Sequence, residues 1–392
     1  MTERRQRLLW TVAIFAFVAS DAVGFQMRGA LLPSIQQEFT VSRALLGLVA
    51  TAGTLGFVVS VFAVGMVAGR IDVRLATVGS ALVVGLSALL MGVAPAFVVY
   101  LGLLFVRGVG TGPFRGLDRV ILSHLYPEGR ARIFNLYAVV WALGATAGPI
   151  VVTAALGLGN WRYAYAVVGA GFLLSTALLW RLELPASLGN ETAITRAEVT
   201  TVARRPAVLG MTVALLLNGG IEGSLFTWLP SFAAGQFPEA TANLVLSTFL
   251  VAYVPARLFY SYVTDRTGRT LDVVLVAVAL AIPLLAAVLV VEGPALFAVV
   301  FGLGCTISAV FPTLSAFGVE AVPEHSGPVN ALSTSGAYLG IATVPAVVGY
   351  LAGEDGLGGA LWLLVGLLGV LLAVLVVTRF ARSPSEAPAA GG

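Results

Sequence analysis

The sequence has no lysine: all 22 of its basic residues are arginine. That absence excludes Schiff-base chemistry and the phosphate-gripping lysine of a P-loop. There is one cysteine, Cys305, so neither an internal disulfide nor a cysteine metal cluster can form. The two histidines, His124 and His325, fall at the ends of apolar runs with no Cys or carboxylate cluster beside them, which leaves no metal site to expect. Charge is scarce too, at 10% of 392 residues, where a soluble domain carries roughly a quarter. Apolar residues fill the gap, at 58% of the chain with a mean hydropathy of +0.97. This balance excludes a soluble enzyme and a disordered chain, and a net charge of only +3 excludes a nucleic-acid binder. No nucleophile–base arrangement or Gly-rich nucleotide loop is present, so neither an enzyme nor a cofactor is expected.

A helix needs about 20 apolar residues to cross a bilayer. Continuous apolar runs predict spans near 8–33, 44–68, 75–93, 96–122, 133–156 and 161–182, then 207–232, 241–263, 271–291, 295–318, 328–351 and 359–379. Because the runs are continuous rather than alternating, a β-barrel is excluded. The expected fold is an all-α polytopic membrane protein with twelve transmembrane helices. Residues 1–183 would form one six-helix bundle, 184–206 a cytoplasmic linker, and 207–392 a second bundle with a short polar tail.

Arginine placement sets the expected orientation. With the N-terminus cytoplasmic, fifteen arginines fall in inner segments and two, Arg43 and Arg162, in outer ones. Both termini are therefore expected inside a cell membrane. The basic N-terminus mimics a secretory signal, but its apolar run continues past Asp21 to Ile35 and reads as a retained span.

The chain repeats itself at an offset of 196 or 197. Leu32-Pro33-Ser34 returns as Leu229-Pro230-Ser231, Arg70 as Arg266, Pro127-Glu128 as Pro323-Glu324, Gly144 as Gly340, Pro149 as Pro345 and Gly157 as Gly353. Copies in the same orientation require an even number of spans per repeat, here six, which predicts two parallel six-helix halves. This architecture resembles that of the major facilitator transporters, and local motifs agree. Ser261 to Arg269, with Thr264-Asp265-Arg266-Thr267-Gly268-Arg269, is similar to the superfamily's loop after the second span of each half. The first-half copy, Gly65 to Arg74, lacks the aspartate at Gly69. The resemblance implies a conformational latch for Asp265, Arg266 and Arg269; for Arg70 a latch and a solvated turn stand level. Gly144 to Pro149 resembles the superfamily's Gly-x-x-x-Gly-Pro element, and small residues four apart point to close helix packing.

Within the superfamily, several elements resemble the fucose/proton symporter family. They are Gly219-Gly220-Ile221-Glu222 with Thr227-Trp228-Leu229, Arg257 ahead of the Asp265 loop, Phe311-Pro312-Thr313, and Asn135 after Pro127. Proton-coupled members carry acids in the first and fourth spans. Here Gly29, beside Arg28, and Arg115 stand near those positions, so neither sugar nor proton follows directly from the resemblance.

Eight charges lie inside predicted spans: Asp21, Arg28, Arg107, Arg115, Asp118, Arg119, Glu222 and Arg257. Each costs on the order of 3 kcal/mol facing lipid at the centre of a helix, so they are expected to pair or to face a wet cavity. Asp21 and Arg28, seven apart, share a face two turns apart and suit two groups lining one cavity. Arg115 and Asp118, three apart, can pair. Arg107 stands immediately before a glycine run, which shifts its face; Arg119 lies near a span end and is expected to snorkel. In the seventh span Asn218 and Glu222 are four apart among glycines. Trp228 either stacks on a ligand or anchors at the interface. Arg257, with Tyr253 four residues before it, either meets substrate or partners an acid of a neighbouring helix.

The resulting expectation is a monomeric secondary active transporter working by alternating access on a small solute, with a proton as coupling ion. Arg28, Arg115, Asn218, Glu222, Trp228, Tyr253 and Arg257 are the expected substrate contacts. Asp21, Asp118 and Glu222 are the expected proton carriers, Glu222 foremost because no arginine is local to it. The family resemblance favours a sugar-like solute, which is the first expectation. The arginines favour a small organic anion gripped by a guanidinium fork. Drug efflux ranks third, and a non-transporting receptor or scaffold is the rival of another class.

Overall fold

The computed structural model describes residues 3–66, 72–182, 196–353 and 356–381, and among them there is no β-strand. The helices are α1 (Glu3–Phe39), α2 (Arg43–Met66), α3 (Val73–Met91), α4 (Phe97–Leu125), α5 (Arg130–Gly157), α6 (Tyr163–Trp180), α7 (Arg196–Ala203), α8 (Pro206–Ala233), α9 (Glu239–Val251), α10 (Tyr253–Thr267), α11 (Thr270–Val290), α12 (Ala295–Ile307), α13 (Val310–Ala321), α14 (Ser326–Leu351) and α15 (Gly356–Phe380). Among the described residues twelve spans are long and apolar enough to cross a membrane, as expected from the sequence. They carry outward-facing Leu75, Val98, Leu258 and Phe380, the apolar surface a bilayer covers.

Two spans differ from the continuous helices the apolar runs predict. The eighth breaks between α9 and α10, the tenth between α12 and α13. Each break lies about four residues before a proline, Pro255 and Pro312. Proline has no amide hydrogen to donate one turn back, so the backbone ladder lapses there. Local chemistry sets other ends. The Asp72 carboxylate accepts from the amides of Arg74 and Leu75 at 2.8 and 3.0 Å and caps α3. Gly268, at φ +63°, ends α10 in the left-handed conformation that glycine tolerates. The expected linker contains the short helix α7.

The chain packs as two compact units. The first comprises 1–193 with 226–251, the second 194–225 with 252–392. In the first unit α1 packs on α5 and α6, α2 on α4, α3 on α4 and α6, and α9 on α5. In the second, α11 packs on α12, α13 and α15, and α14 on α13 and α15.

The internal repeat is visible in how the helices touch. A β-carbon on Gly144 of α5 would lie 2.7 Å from the Ala19 carbonyl of α1, and one on Gly340 of α14 would collide with the Leu216 carbonyl of α8. Ala19 and Leu216 are themselves one repeat apart. The next contact exchanges its glycine between partners. Gly148 of α5 faces Val23 of α1, whereas Gly220 of α8 faces Val344 of α14. One small residue per crossing lets the helices approach, whichever helix supplies it.

Candidate functional site

The intramembrane charges resolve into three clusters. The first lies around α1 in the first unit. Arg107 of α4 donates from Nη2 to Asp21 Oδ1 at 3.0 Å, and both side chains are largely buried. Gly24 makes room for this pair, because a β-carbon there would lie 2.8 Å from Arg107 Nη2. Asp21, expected to line one cavity with Arg28, is paired with Arg107, a partner that Arg107's position before the glycine run did not indicate. Arg28 is 8% exposed. Its Nε donates to the Phe25 carbonyl at 3.2 Å, its guanidinium lies 4.2 Å from the Phe25 ring centre, and Nη1 occupies the space a β-carbon on Gly53 would need. Among the described residues it makes no ion pair. The neighbouring Tyr100 and Tyr165 hydroxyls bond to each other at 2.5 Å. Two guanidinium groups and one carboxylate leave this cluster with an excess positive charge held in a low-dielectric interior, where an anion is favoured.

The second cluster joins α4 to α5. Arg115 pairs with Asp118 at 3.4 Å, as the spacing of three predicts. The Tyr137 hydroxyl, which sequence spacing had no means of indicating, donates to Asp118 Oδ2 at 2.5 Å and also meets Arg115 Nη1. Asp118 is fully buried, and the exposed Arg119 lies over the Tyr137 ring. This is an internally neutralised ion pair with its charges already matched.

The third cluster is in the second unit. Glu222 of α8 accepts from Asn218 Nδ2 at 3.0 Å and from the Tyr253 hydroxyl of α10 at 2.6 Å. The Arg257 guanidinium lies 5.1 Å from the centre of the Tyr253 ring. It makes no ion pair among the described residues, and its buried Nε, like Asn218 Oδ1, has no hydrogen-bond partner there. The structure thus gathers three of the expected residues, Asn218, Tyr253 and Arg257, about the Glu222 carboxylate, with one unused donor and one unused acceptor among them.

Other expected residues lie apart from these clusters. Trp228 is 1% exposed and packed within the first unit. Asp265, Arg266 and Arg269 are exposed at the end of α10. Arg266 bonds the Tyr262 hydroxyl, and neither arginine forms an ion pair among the described residues. The ion pair near this loop is instead Asp272–Arg379, at 2.7 Å. Arg70 lies outside the described residues. In the first unit, by the C-terminal end of α1, a cavity of about 440 Å³ is lined by Ser34, Glu38, Asn160, Trp161, Arg162 and Glu239. Here Glu38 accepts from Trp161 Nε1 at 2.7 Å and pairs with Arg162, and Glu239 accepts from the Ser34 hydroxyl at 3.3 Å.

Comparison with known proteins agrees with this layout. The chain is 24% identical to a hexuronate transporter of Bacillus subtilis (strain 168), over 96% of each chain. It is 26% identical to the transcription regulatory protein OpdE of Pseudomonas aeruginosa, over 95% of this chain and 93% of that one. Among solved structures it superposes with a TM-score of 0.83 on a bacterial homolog of the human lysosomal transporter Spinster in an inward-facing, unoccupied conformation. That match has 15% identity and covers 97% and 99% of the two chains. The profile of the Major Facilitator Superfamily matches residues 12–238 and 233–392. A twelve-span helical chain, built from a repeat whose paired crossings recur and matched along nearly its whole length, belongs to the Major Facilitator Superfamily, a family of membrane transporters rather than enzymes.

Proposed function

We propose that this protein carries a small organic anion bearing a carboxylate, by alternating access, with a proton as the coupling ion. One observation carries the reading: among the described residues Arg28 is a buried guanidinium without an ion pair, beside an Arg107 that already pairs with Asp21. A guanidinium offers a planar fork that fits a carboxylate with two hydrogen bonds. A substrate carboxylate would supply the missing negative charge. The hexuronate of the relative's name is such an anion, which supports the reading. Glu222 is the proposed proton carrier: it is an intramembrane acid held by two neutral donors, with no arginine at ion-pair distance among the described residues. The Asp118 carboxylate is less suited, since Arg115 and Tyr137 already engage it.

A neutral sugar is the second reading. The neutral hydrogen-bonding character of the Asn218–Glu222–Tyr253 cluster favours it, as do the motifs shared with the fucose/proton symporter family. Placement in a cell membrane with both termini cytoplasmic follows from the arginine asymmetry of the loops.

The test is uptake into proteoliposomes of a panel of carboxylates and neutral sugars, with and without an imposed pH gradient. Gradient-stimulated uptake of a carboxylate is expected. Uptake of a sugar with every carboxylate excluded would overturn the anion assignment.

A further inference from the structure

The Glu222 carboxylate accepts at both oxygens: Oε1 from the Tyr253 hydroxyl at 2.6 Å and Oε2 from Asn218 Nδ2 at 3.0 Å. Two donors suit the ionised form, which can only accept. A protonated acid carries an O–H of its own, and burying that donor without an acceptor is costly. An acid that takes up and releases a proton has to be accommodated in both forms.

The acceptor for the second form lies on a residue that already touches the acid. Asn218 is 1% exposed, and its Oδ1 has no hydrogen-bond partner among the described residues, although its Nδ2 bonds Glu222. A carboxamide is planar and its two ends are close in size. A half-turn about its last side-chain bond therefore exchanges donor and acceptor without repacking. The surroundings favour such a small motion, because α8 lies close against α14. A β-carbon on Gly219, Gly220 or Gly223 would press into Ala337, Val344 or Ile341. A spacing of four on α8 keeps the amide beside the carboxylate in either orientation. With Nδ2 toward the acid the ionised form is bonded, and with Oδ1 toward it the protonated form is. Each orientation leaves one end of the amide unbonded, so the turn loses no hydrogen bond in total. Protonation without the turn would set an N–H against an O–H.

The titratable and charged groups that face Glu222 are Tyr253 and Arg257 of α10, while α14 brings the apolar Ala337, Ile341 and Val344 to its crossing with α8. Arg257 can only donate, and the Tyr253 hydroxyl is already committed to Oε1. Within the cluster the unused acceptor is the amide oxygen.

We infer that Asn218 is a positioning residue for the coupling proton: its amide donates to ionised Glu222, and when a proton bonds to Oε2 it turns over and accepts the new O–H through Oδ1. The inference rests on the reading of Glu222 as proton carrier proposed above. The proton comes from water on one side and returns to water on the other, and no other covalent bond is made or broken.

The test is pH-difference infrared spectroscopy of the full-length protein in liposomes, with asparagine labelled by carbon-13 at the side-chain carbonyl. It needs no solute. Acidification should raise a carboxylic-acid C=O band that is missing in Glu222→Gln. An asparagine C=O band should move to lower wavenumber with the same midpoint, as Oδ1 passes from unbonded to bonded. That movement should vanish in Glu222→Gln and in Asn218→Leu. In Asn218→Leu the acid band should also shift to higher wavenumber, because the acid has lost one hydrogen bond. The labelled wild type and Glu222→Gln carry the test even if Asn218→Leu does not fold. A Glu222 acid band with no accompanying asparagine shift would overturn the role of Asn218 and leave Glu222 as the proton carrier. Absence of any Glu222 acid band across the pH range of the folded protein would remove the carrier itself, and this inference with it.

Discussion

Gly29 of α1 packs against the backbone carbonyl of Phe226 in α8, too closely for any β-carbon to fit. The two residues are one repeat apart, and each stands four before a proline, Pro33 and Pro230, that cannot donate to its carbonyl. The repeat thus brings two weakened points of the backbone together. This explains the glycine at position 29: no side chain can be accommodated at this crossing.

Gly29→Ala should accordingly destabilise the protein by about 1–3 kcal/mol, the usual range for overpacking. The thermal midpoint of the detergent-purified protein reads this directly. Gly102→Ala in α4 is the control, since a β-carbon there meets nothing within 4 Å. It should be neutral, or stabilising by up to about 1 kcal/mol through helix propensity. Equal shifts for the two variants would show that the Phe226 contact is unimportant.

Replacing Arg28 by lysine keeps the charge but removes the planar fork. For a carboxylate substrate KM should rise by about tenfold or more, the scale of one lost charge-assisted hydrogen bond. Binding of a neutral sugar should be little affected. Concentration-dependent uptake by Arg28→Lys vesicles separates the cases, and an unchanged KM for every transported acid would remove Arg28 from the site.

The Asp21–Arg107 pair is expected to be structural. Asp21→Asn leaves a buried guanidinium uncompensated and should cost about 3–5 kcal/mol. Adding Arg107→Met to Asp21→Asn should restore much of that loss, because no unpaired charge remains. A double-mutant cycle on thermal unfolding measures the coupling. Additive losses would mean that the 3.0 Å contact contributes nothing.

Glu222→Gln preserves side-chain size and a capacity to bond Asn218 and Tyr253, but it cannot exchange a proton. Uptake driven by a pH gradient should fall to the level of empty vesicles, while substrate exchange at equal pH persists. Tyr253→Phe removes the 2.6 Å bond without removing the acid, and should weaken gradient-driven uptake without abolishing it. Intact gradient-driven uptake in Glu222→Gln would move the proton elsewhere.

Much of this protein was legible in one dimension. Transfer of an apolar run into a bilayer depends on its length and composition alone, so twelve spans follow from the sequence, as does the repeat that relates Gly144 to Gly340. Scarcity of charge singled out the eight residues worth attention, and helical spacing correctly paired Arg115 with Asp118. Tertiary structure alone decided the other partners. Asp21 met Arg107 across 86 residues, Asp118 met Tyr137 across 19, and Glu222 met Tyr253 across 31. Each of these contacts depends on how two helices are rotated and on the register at which they cross. Those quantities are fixed by close-packed side chains and by glycines at the crossing points, not by the periodicity of either helix. The same packing left Arg28 without an acid and Gln26 without a hydrogen-bond partner among the described residues.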